Sequence, residues 1–229
     1  VRRRVLHARA PRGHVVSGML ISGLFAARAS VLEPGGERSA ILKRPQQRVQ
    51  VTVSGIVGDE QADRRYHGGP DQALHQFAIG SYAAMVQAWP ELTGLAVPGS
   101  IGENLSCPDL DEANVCVGDC FRIGGIEVQV TQPRRPCSKI DARFGVHGLA
   151  RFILEQRTPG WYLRVLREGD VAVGDALTLI ARPNPEVTLA RLLAINAQHR
   201  PAKSDLQALI DCEGLGADWR RRLRERLAY

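Results

Sequence analysis

Short apolar runs separated by glycine, proline and aspartate dominate the chain from residue 15 to about residue 182. Val49–Val53 alternates apolar and polar residues, which is the period of a strand with one solvated face. Further short apolar runs predict more strands, namely Met19–Ile21, Val115–Val117, Phe121–Ile123, Ile126–Thr131, Tyr162–Leu166 and Leu177–Ile180. Gly124-Gly125 predicts a two-residue hairpin between two of them, because such turns need positive φ. The pattern therefore predicts a mainly β structure.

A repeated tripeptide refines this prediction. Val-Gly-Asp occurs at Val57–Asp59, Val117–Asp119 and Val173–Asp175. Gly-Asp is a good turn in its own right, which explains part of the repetition. Strand–turn–strand units repeated in this way still favour a β-barrel or a strongly bent sheet over a doubly wound fold.

Helical spacing of apolar residues is found mainly after Arg182. Within the β part, one helix is predicted near Ile79–Trp89 and a shorter one near His147–Gln156. Beyond it, three groups fall at helical spacing: Leu189, Leu192 and Leu193; Leu206, Leu209 and Ile210; Trp219, Leu223 and Leu227. Thr188 and Ser204 are the expected caps of the first two helices. Three helices of roughly 40 residues in total seldom hold a core alone, so we expect them to pack on the barrel.

The chain thus divides into three predicted parts. Residues 1–14 are a flexible Arg-rich leader, residues 15–182 form the β-barrel domain, and residues 183–229 form a small three-helix domain. The arginines and the apolar run after them faintly resemble a signal peptide, but serines and glycines interrupt that run, so export is not expected. No stretch approaches the roughly 18 apolar residues of a membrane span.

Charge and cysteine content narrow the classes of function. The formal net charge is +6, which favours an anionic partner. Five cysteines without a CxxC pair or dense spacing do not form a disulfide framework. A reducing compartment is therefore expected, and we predict a cytoplasmic protein.

The segment Gln132–Lys139 contains the strongest candidate for chemistry. Its Cys137 follows the predicted strand Ile126–Thr131, and two prolines stiffen the chain between the strand and the cysteine. Arg134, Arg135 and Lys139 surround the thiol with positive charge, which favours the thiolate. Such a thiolate suits a metal ligand or a persulfide carrier. The other four cysteines lack these neighbours and are expected to be structural.

Three further positions are weaker candidates. His67 lies in the loop sequence His-Gly-Gly-Pro and is a candidate proton donor near neutral pH. Asn104 follows Gly102-Glu103 and offers an amide to a ligand or a turn, and Lys43 is a lone cation. His75 lies in an apolar stretch, where a structural histidine is the better interpretation.

Six motifs in order make the chain resemble the MOSC domain family, and more closely its bacterial YiiM-type branch, which also carries a three-helix C-terminal domain. The motifs are Ser39–Lys43, Gly58–Asp63, His67–Asp71, Gly102–Leu105, Val117–Asp119 and Gln132–Cys137. The resemblance implies a β-barrel, a pyranopterin molybdenum cofactor, and a cysteine that ligates the metal or carries sulfur. That cysteine corresponds to Cys137.

The resemblance also implies roles for other residues. Lys43, Asn104 and Arg134 become cofactor-pocket residues, and Lys139 joins them as a candidate for the cofactor phosphate. The implied activity is reduction of N-hydroxylated compounds, N-hydroxylated purine bases among them, with Cys137 as metal ligand and His67 as proton source. The sequence contains no flavin or iron–sulfur motif, so a separate flavin or iron–sulfur protein is expected to donate electrons.

Three alternatives remain open at this point. Cys137 is also suited to carrying a persulfide for metallocentre assembly. The basic helix around Arg220–Arg226 favours a nucleic-acid binding module, although the chain lacks a recognisable motif for one. A zinc site formed by His67, His75 and Cys137 is the least supported alternative.

Overall fold

The computed structural model describes residues 18–32, 37–60 and 68–228. The predicted leader over residues 1–14 and the candidate proton donor His67 lie outside the described residues.

A curled mixed sheet of eight strands forms the body of the protein, as the predicted barrel-like β fold requires. In spatial order its strands are β13 (Leu177–Ala181), β9 (Cys120–Ile123), β10 (Ile126–Pro133), β11 (Trp161–Arg167), β7 (Leu74–Gln76), β8 (Leu105–Ser106), β1 (Gly23–Ala26) and β4 (Arg44–Gln46). All neighbours pair antiparallel except β7 and β8, which pair parallel. Smaller sheets join β12 (Gly169–Ala172) to β5 (Arg48–Thr52) and β6 (Gly55–Ile56), and β2 (Ser30–Leu32) to β3 (Glu37–Ser39).

The predicted hairpin at Gly124-Gly125 is confirmed. It joins β9 to β10, with Ile123 opposite Ile126 and Gly124 at a φ of 51°. Farther along β10 the pairing with β11 shifts between Val130 and Gln132. Irregularities of this kind bend a strand and redirect its side chains. This one lies just before β10 delivers its last residues to the functional site.

Six α-helices complete the described structure: α1 (Ile79–Ala88), α2 (Ser138–Phe144), α3 (Leu149–Glu155), α4 (Leu189–Ala197), α5 (Lys203–Ile210) and α6 (Ala217–Leu227). Five of them were predicted, whereas α2 was missed. Two 3₁₀ turns span Pro70–Gln72 and Pro90–Leu92. The Thr188 cap is confirmed, since its side chain accepts a hydrogen bond from the Arg191 backbone N–H at 3.1 Å.

The C-terminal helices share one apolar core with the sheet. Leu192, Leu209 and Trp219 belong to the same buried cluster as Val128 and Leu163 from the sheet. This confirms the expectation that the helices pack on the β part. A second cluster joins α1, α2 and α3 through buried side chains that include Tyr82, Ile140 and Ile153.

Two predicted strands and one predicted cap are wrong. Met19–Ile21 makes only an isolated bridge, from Leu20 to Ala176, and its backbone hydrogen bonds go to Gly174, Asp175 and Leu177 on either side of that bridge. Val115–Val117 likewise makes one bridge, from Cys116 to Thr188, and the turn at Gly118 ends the pairing there. Ser204 is not a cap, because α5 begins one residue earlier, at Lys203.

Candidate functional site

A pocket with a cavity volume of about 90 Å³ opens where β10 leaves the sheet. Five of the predicted site residues line it: Lys43, Asn104, Arg134, Cys137 and Lys139. Gly68, the residue after His67, lines it as well. The fold therefore brings together candidates that are as far apart in sequence as residues 43 and 139.

Cys137 is the residue immediately before α2. Its backbone is extended, with φ −132° and ψ 167°, and its carbonyl accepts the Ile140 N–H at 3.0 Å. The thiol is half-buried in the pocket wall. The fold thus places the Cys137 thiol at the start of a helix, in a pocket lined by Lys43, Arg134 and Lys139.

The other four cysteines have a different environment. Cys107, Cys116 and Cys212 are buried, and Cys120 is half-buried on β9. Burial raises the pKa of all four thiols, which keeps them protonated. Among the five cysteines, all within the described residues, Cys137 is the one that lines the pocket.

Arg134 places a buried guanidinium group in the wall of the pocket that Cys137 also lines. The residue is 7% exposed, and its backbone N–H donates to the Gly160 carbonyl at 2.9 Å. Nη1 donates to the Ile101 carbonyl at 2.5 Å, while Nε has no hydrogen-bond partner among the described residues. A buried cationic donor without an acceptor is costly, so this group points to an anionic ligand.

Lys43, Asp59 and Asn104 form a second polar cluster in the pocket. Lys43 Nζ pairs with Asp59 Oδ2, and both side chains are less than 10% exposed. Asn104 Nδ2 donates to the same oxygen at 2.9 Å and to the Phe25 carbonyl at 3.1 Å. Burial lowers the pKa of Lys43, and the Asp59 carboxylate opposes that shift. The cluster thus holds a desolvated cation at a fixed position.

Asp59 is a site residue that the sequence analysis did not select. It ends the first of the three Val-Gly-Asp turns, in which Gly58, Gly118 and Gly174 all have φ between 82° and 91°. Asp119 and Asp175 use their carboxylates to accept the backbone N–H three residues earlier, at 2.8 Å. Asp59 instead accepts from Ala27, Lys43 and Asn104. The repetition of Val-Gly-Asp is the sequence feature that could have drawn attention to Asp59.

His75 and Tyr162 form the aromatic part of the pocket wall. Their ring centroids are 5.3 Å apart. Burial, and then the positive charges of Arg134 and Lys43, hold the pKa of His75 well below its usual range. The imidazole is therefore neutral at pH 7, consistent with a structural histidine that also lines the site.

Lys139, on α2, lines the pocket together with the cations Lys43 and Arg134. It is half-buried, and its Nζ donates to the Arg38 carbonyl at 3.1 Å. This contact ties α2 to β3 across the pocket. Arg135, the remaining cation of the segment, is exposed.

The structure offers little support for the zinc and nucleic-acid alternatives. No group of three His, Cys, Asp or Glu side chains within the described ranges is placed to hold a metal ion. On α6, Arg221 and Arg222 pair with Asp218, and Arg221 also pairs with Glu225. Trp219 and Leu223 of the same helix are buried. No described helix has both the length and the apolar character needed to cross a bilayer.

The structure combines a curled β-sheet, one cysteine thiol in a cation-lined pocket and three C-terminal helices. A model of the MOSC domain matches residues 63–178. The chain is 36% identical to the protein YiiM of Escherichia coli, over 84% of this chain and 86% of that protein. This chain belongs to the MOSC domain family, in its YiiM-like branch.

Two further comparisons agree with this assignment. The crystal structure of YiiM from Escherichia coli superposes with a TM-score of 0.76 at 29% identity, covering 92% of this chain and 94% of that one. A protein of Gibberella moniliformis named reductase is 30% identical over 79% of this chain. This chain covers 32% of that larger protein.

Proposed function

We propose that this protein is a molybdenum-cofactor-dependent reductase of N-hydroxylated compounds, with N-hydroxylated purine bases as substrates. The observation that carries the proposal is the half-buried Cys137 thiol in a pocket whose buried cations include Arg134 and Lys43. Membership of the MOSC family and the similarity to a protein named reductase support an oxidoreductase role.

The residues of the pocket fit a pyranopterin cofactor. The unpartnered Arg134 Nε needs an acceptor, which a phosphate oxygen provides. Lys43 and Lys139 add positive charge to the same pocket, and Asn104 shares the Asp59 carboxylate with Lys43. Cys137 would supply the soft thiolate that a sulfur-bound metal prefers. When bound, the cofactor supplies a metal that exchanges two electrons with the substrate.

The overall reaction consumes two electrons and two protons. The N–O bond of R–NHOH breaks, and the products are R–NH₂ and water. His67 is our proposed proton source, and its neighbour Gly68 lines the pocket. Electrons come from a separate flavin or iron–sulfur protein, which is oxidised by two electrons for each substrate molecule reduced.

Replacement of Cys137 by alanine tests this proposal. We expect Cys137→Ala to abolish reduction of an N-hydroxylated purine base driven by reduced methyl viologen, while the unfolding transition of the cofactor-free protein stays unchanged. Cys120→Ala is the matched control, because Cys120 is also half-buried but does not line the pocket. Full turnover in cofactor-loaded Cys137→Ala protein would refute the proposal.

The same sulfur is chemically suited to the alternative role of persulfide carrier. Intact-mass analysis of freshly purified wild-type protein separates the two functions. A carrier gains one sulfur atom, which a thiol reductant removes and which Cys137→Ala lacks. A reductase contains molybdenum and pterin and shows no such gain.

A further inference from the structure

A groove containing four arginines lies between α6 and the sheet. Its cavity volume is about 560 Å³, and its charged lining residues are Asp71, Arg164, Arg220, Arg221, Arg224 and Glu225. We call it the arginine groove. Four positive charges face two negative ones, so its lining carries a net charge of +2.

Ion pairing within the groove leaves two of the arginines uncompensated. Arg164 pairs with Asp71, and Arg221 pairs with Asp218 and Glu225. Arg220 donates only to neutral acceptors, the carbonyls of Cys212 and Leu215. Arg224 is exposed and has no ion pair with any residue in the described part of the chain. The groove therefore presents positive charge to an approaching molecule.

The groove and the cysteine pocket are neighbours on the same elements. Tyr162 lines the pocket and Arg164 lines the groove, two residues apart on β11. Alternate residues of a strand share one face and lie about 7 Å apart. Asp71 lines the groove, while the next residue, Gln72, lines the pocket. A partner seated in the groove is thus close to the reacting centre.

The start of α6 is fixed to the backbone that leads into the pocket. Gly216 N–H donates to the Thr131 carbonyl at 3.0 Å, and Ala217 N–H donates to Asp71 Oδ2 at 2.8 Å. Trp219 Nε1 donates to the Pro133 carbonyl at 3.2 Å, one residue before Arg134. The charged face of the groove is therefore held in a constant position relative to the pocket.

We propose that the arginine groove is the docking surface for the electron donor, a small acidic protein that carries a flavin or an iron–sulfur cluster. This inference rests on the proposed function, which requires electrons from outside the chain. Short-lived electron-transfer complexes use small, charge-steered interfaces, and an acidic partner complements the uncompensated Arg220 and Arg224. The donor is oxidised in the complex, and the groove contributes binding and orientation only.

Binding of two defined probes to the whole protein tests the surface. The probes are an acidic flavodoxin and an acidic [2Fe–2S] ferredoxin, both oxidised, titrated by calorimetry at low ionic strength. We expect Arg224→Glu to raise the dissociation constant of the bound probe roughly tenfold, and added salt to weaken wild-type binding. Arg151→Glu on α3 makes the same charge change away from the groove and should leave the dissociation constant within about twofold.

Turnover is measured alongside binding. With reduced methyl viologen, which needs no docking surface, Arg224→Glu should match wild type, whereas the KM for the reduced protein donor should rise roughly tenfold. Absence of binding by both probes, or equal effects of Arg224→Glu and Arg151→Glu, would overturn the docking surface. If duplex DNA bound more strongly than either probe, and Arg224→Glu weakened that binding, the groove would be a nucleic-acid surface instead. If wild-type protein bound a probe but showed no turnover with reduced methyl viologen, the reductase function would be refuted while the docking surface would stand.

Discussion

The buried pair of Lys43 and Asp59 gives the sharpest quantitative prediction. Removal of one member leaves a charge with less than 10% of its side chain exposed. Loss of one partner from a buried ion pair typically costs 3–5 kcal/mol. For Lys43→Met we expect about 3 kcal/mol, because the Asp59 carboxylate keeps the donors on Asn104 and Ala27.

The opposite replacement should cost more. Asp59→Asn turns an amide donor towards either the Lys43 ammonium group or the Ala27 N–H, so one buried donor faces another. We expect about 4 kcal/mol for this variant. The double variant removes both charges, and its cost should fall short of the sum of the two single costs by about 2 kcal/mol.

Urea unfolding of cofactor-free protein at pH 7 measures all three variants, since ligand binding would otherwise add to the apparent stability. Lys203→Met is the control, because Lys203 is exposed on α5 and should change the free energy of unfolding by less than about 0.5 kcal/mol. Additivity of the two single variants within about 0.5 kcal/mol would show that the pair is not coupled. In that case the assignment of Lys43 as a held cation would be wrong.

Two further predictions concern buried groups outside the pocket. Burial raises the pKa of Glu112 to about 7, although the Gly160 N–H opposes the shift. Between pH 4.5 and 7 the folded state keeps Glu112 protonated while the unfolded state releases that proton, so stability falls as the pH rises. Relative to Glu112→Gln, wild type should lose about 3 kcal/mol of stability when the pH rises from 4.5 to 7. Parallel pH profiles of the two proteins in urea unfolding would contradict this. Gly118→Ala should destabilise the protein by about 2 kcal/mol more than Gly174→Ala. Both glycines have positive φ, but of the two added methyl groups only the one at Gly118 would meet a backbone carbonyl, that of Glu213 at 2.3 Å. Equal melting temperatures of the two variants would refute the reasoning.

Much of the candidate site was predictable from the sequence because its residues have distinctive local surroundings. Cys137 follows a strand, in a short segment that contains two prolines and three cationic residues, and the structure places it in the pocket wall. Lys43, Asn104 and Arg134 were weaker candidates by themselves, and the ordered motifs of the MOSC resemblance raised them. Helix α2 was missed because its seven residues follow the Arg–Pro–Cys segment without an amphipathic run long enough to detect.

The chain by itself determined the strands β5, β9, β10, β11 and β13, five of the six described helices, the β9–β10 hairpin and the attachment of three C-terminal helices, because these follow from local periodicity and turn chemistry. Tertiary structure alone decided what three nearly identical turns do. Asp119 and Asp175 close their own turns, whereas Asp59 faces Lys43 and Asn104. The difference comes from residues 16 and 45 positions away, and contacts at such separations are created only when the sheet curls.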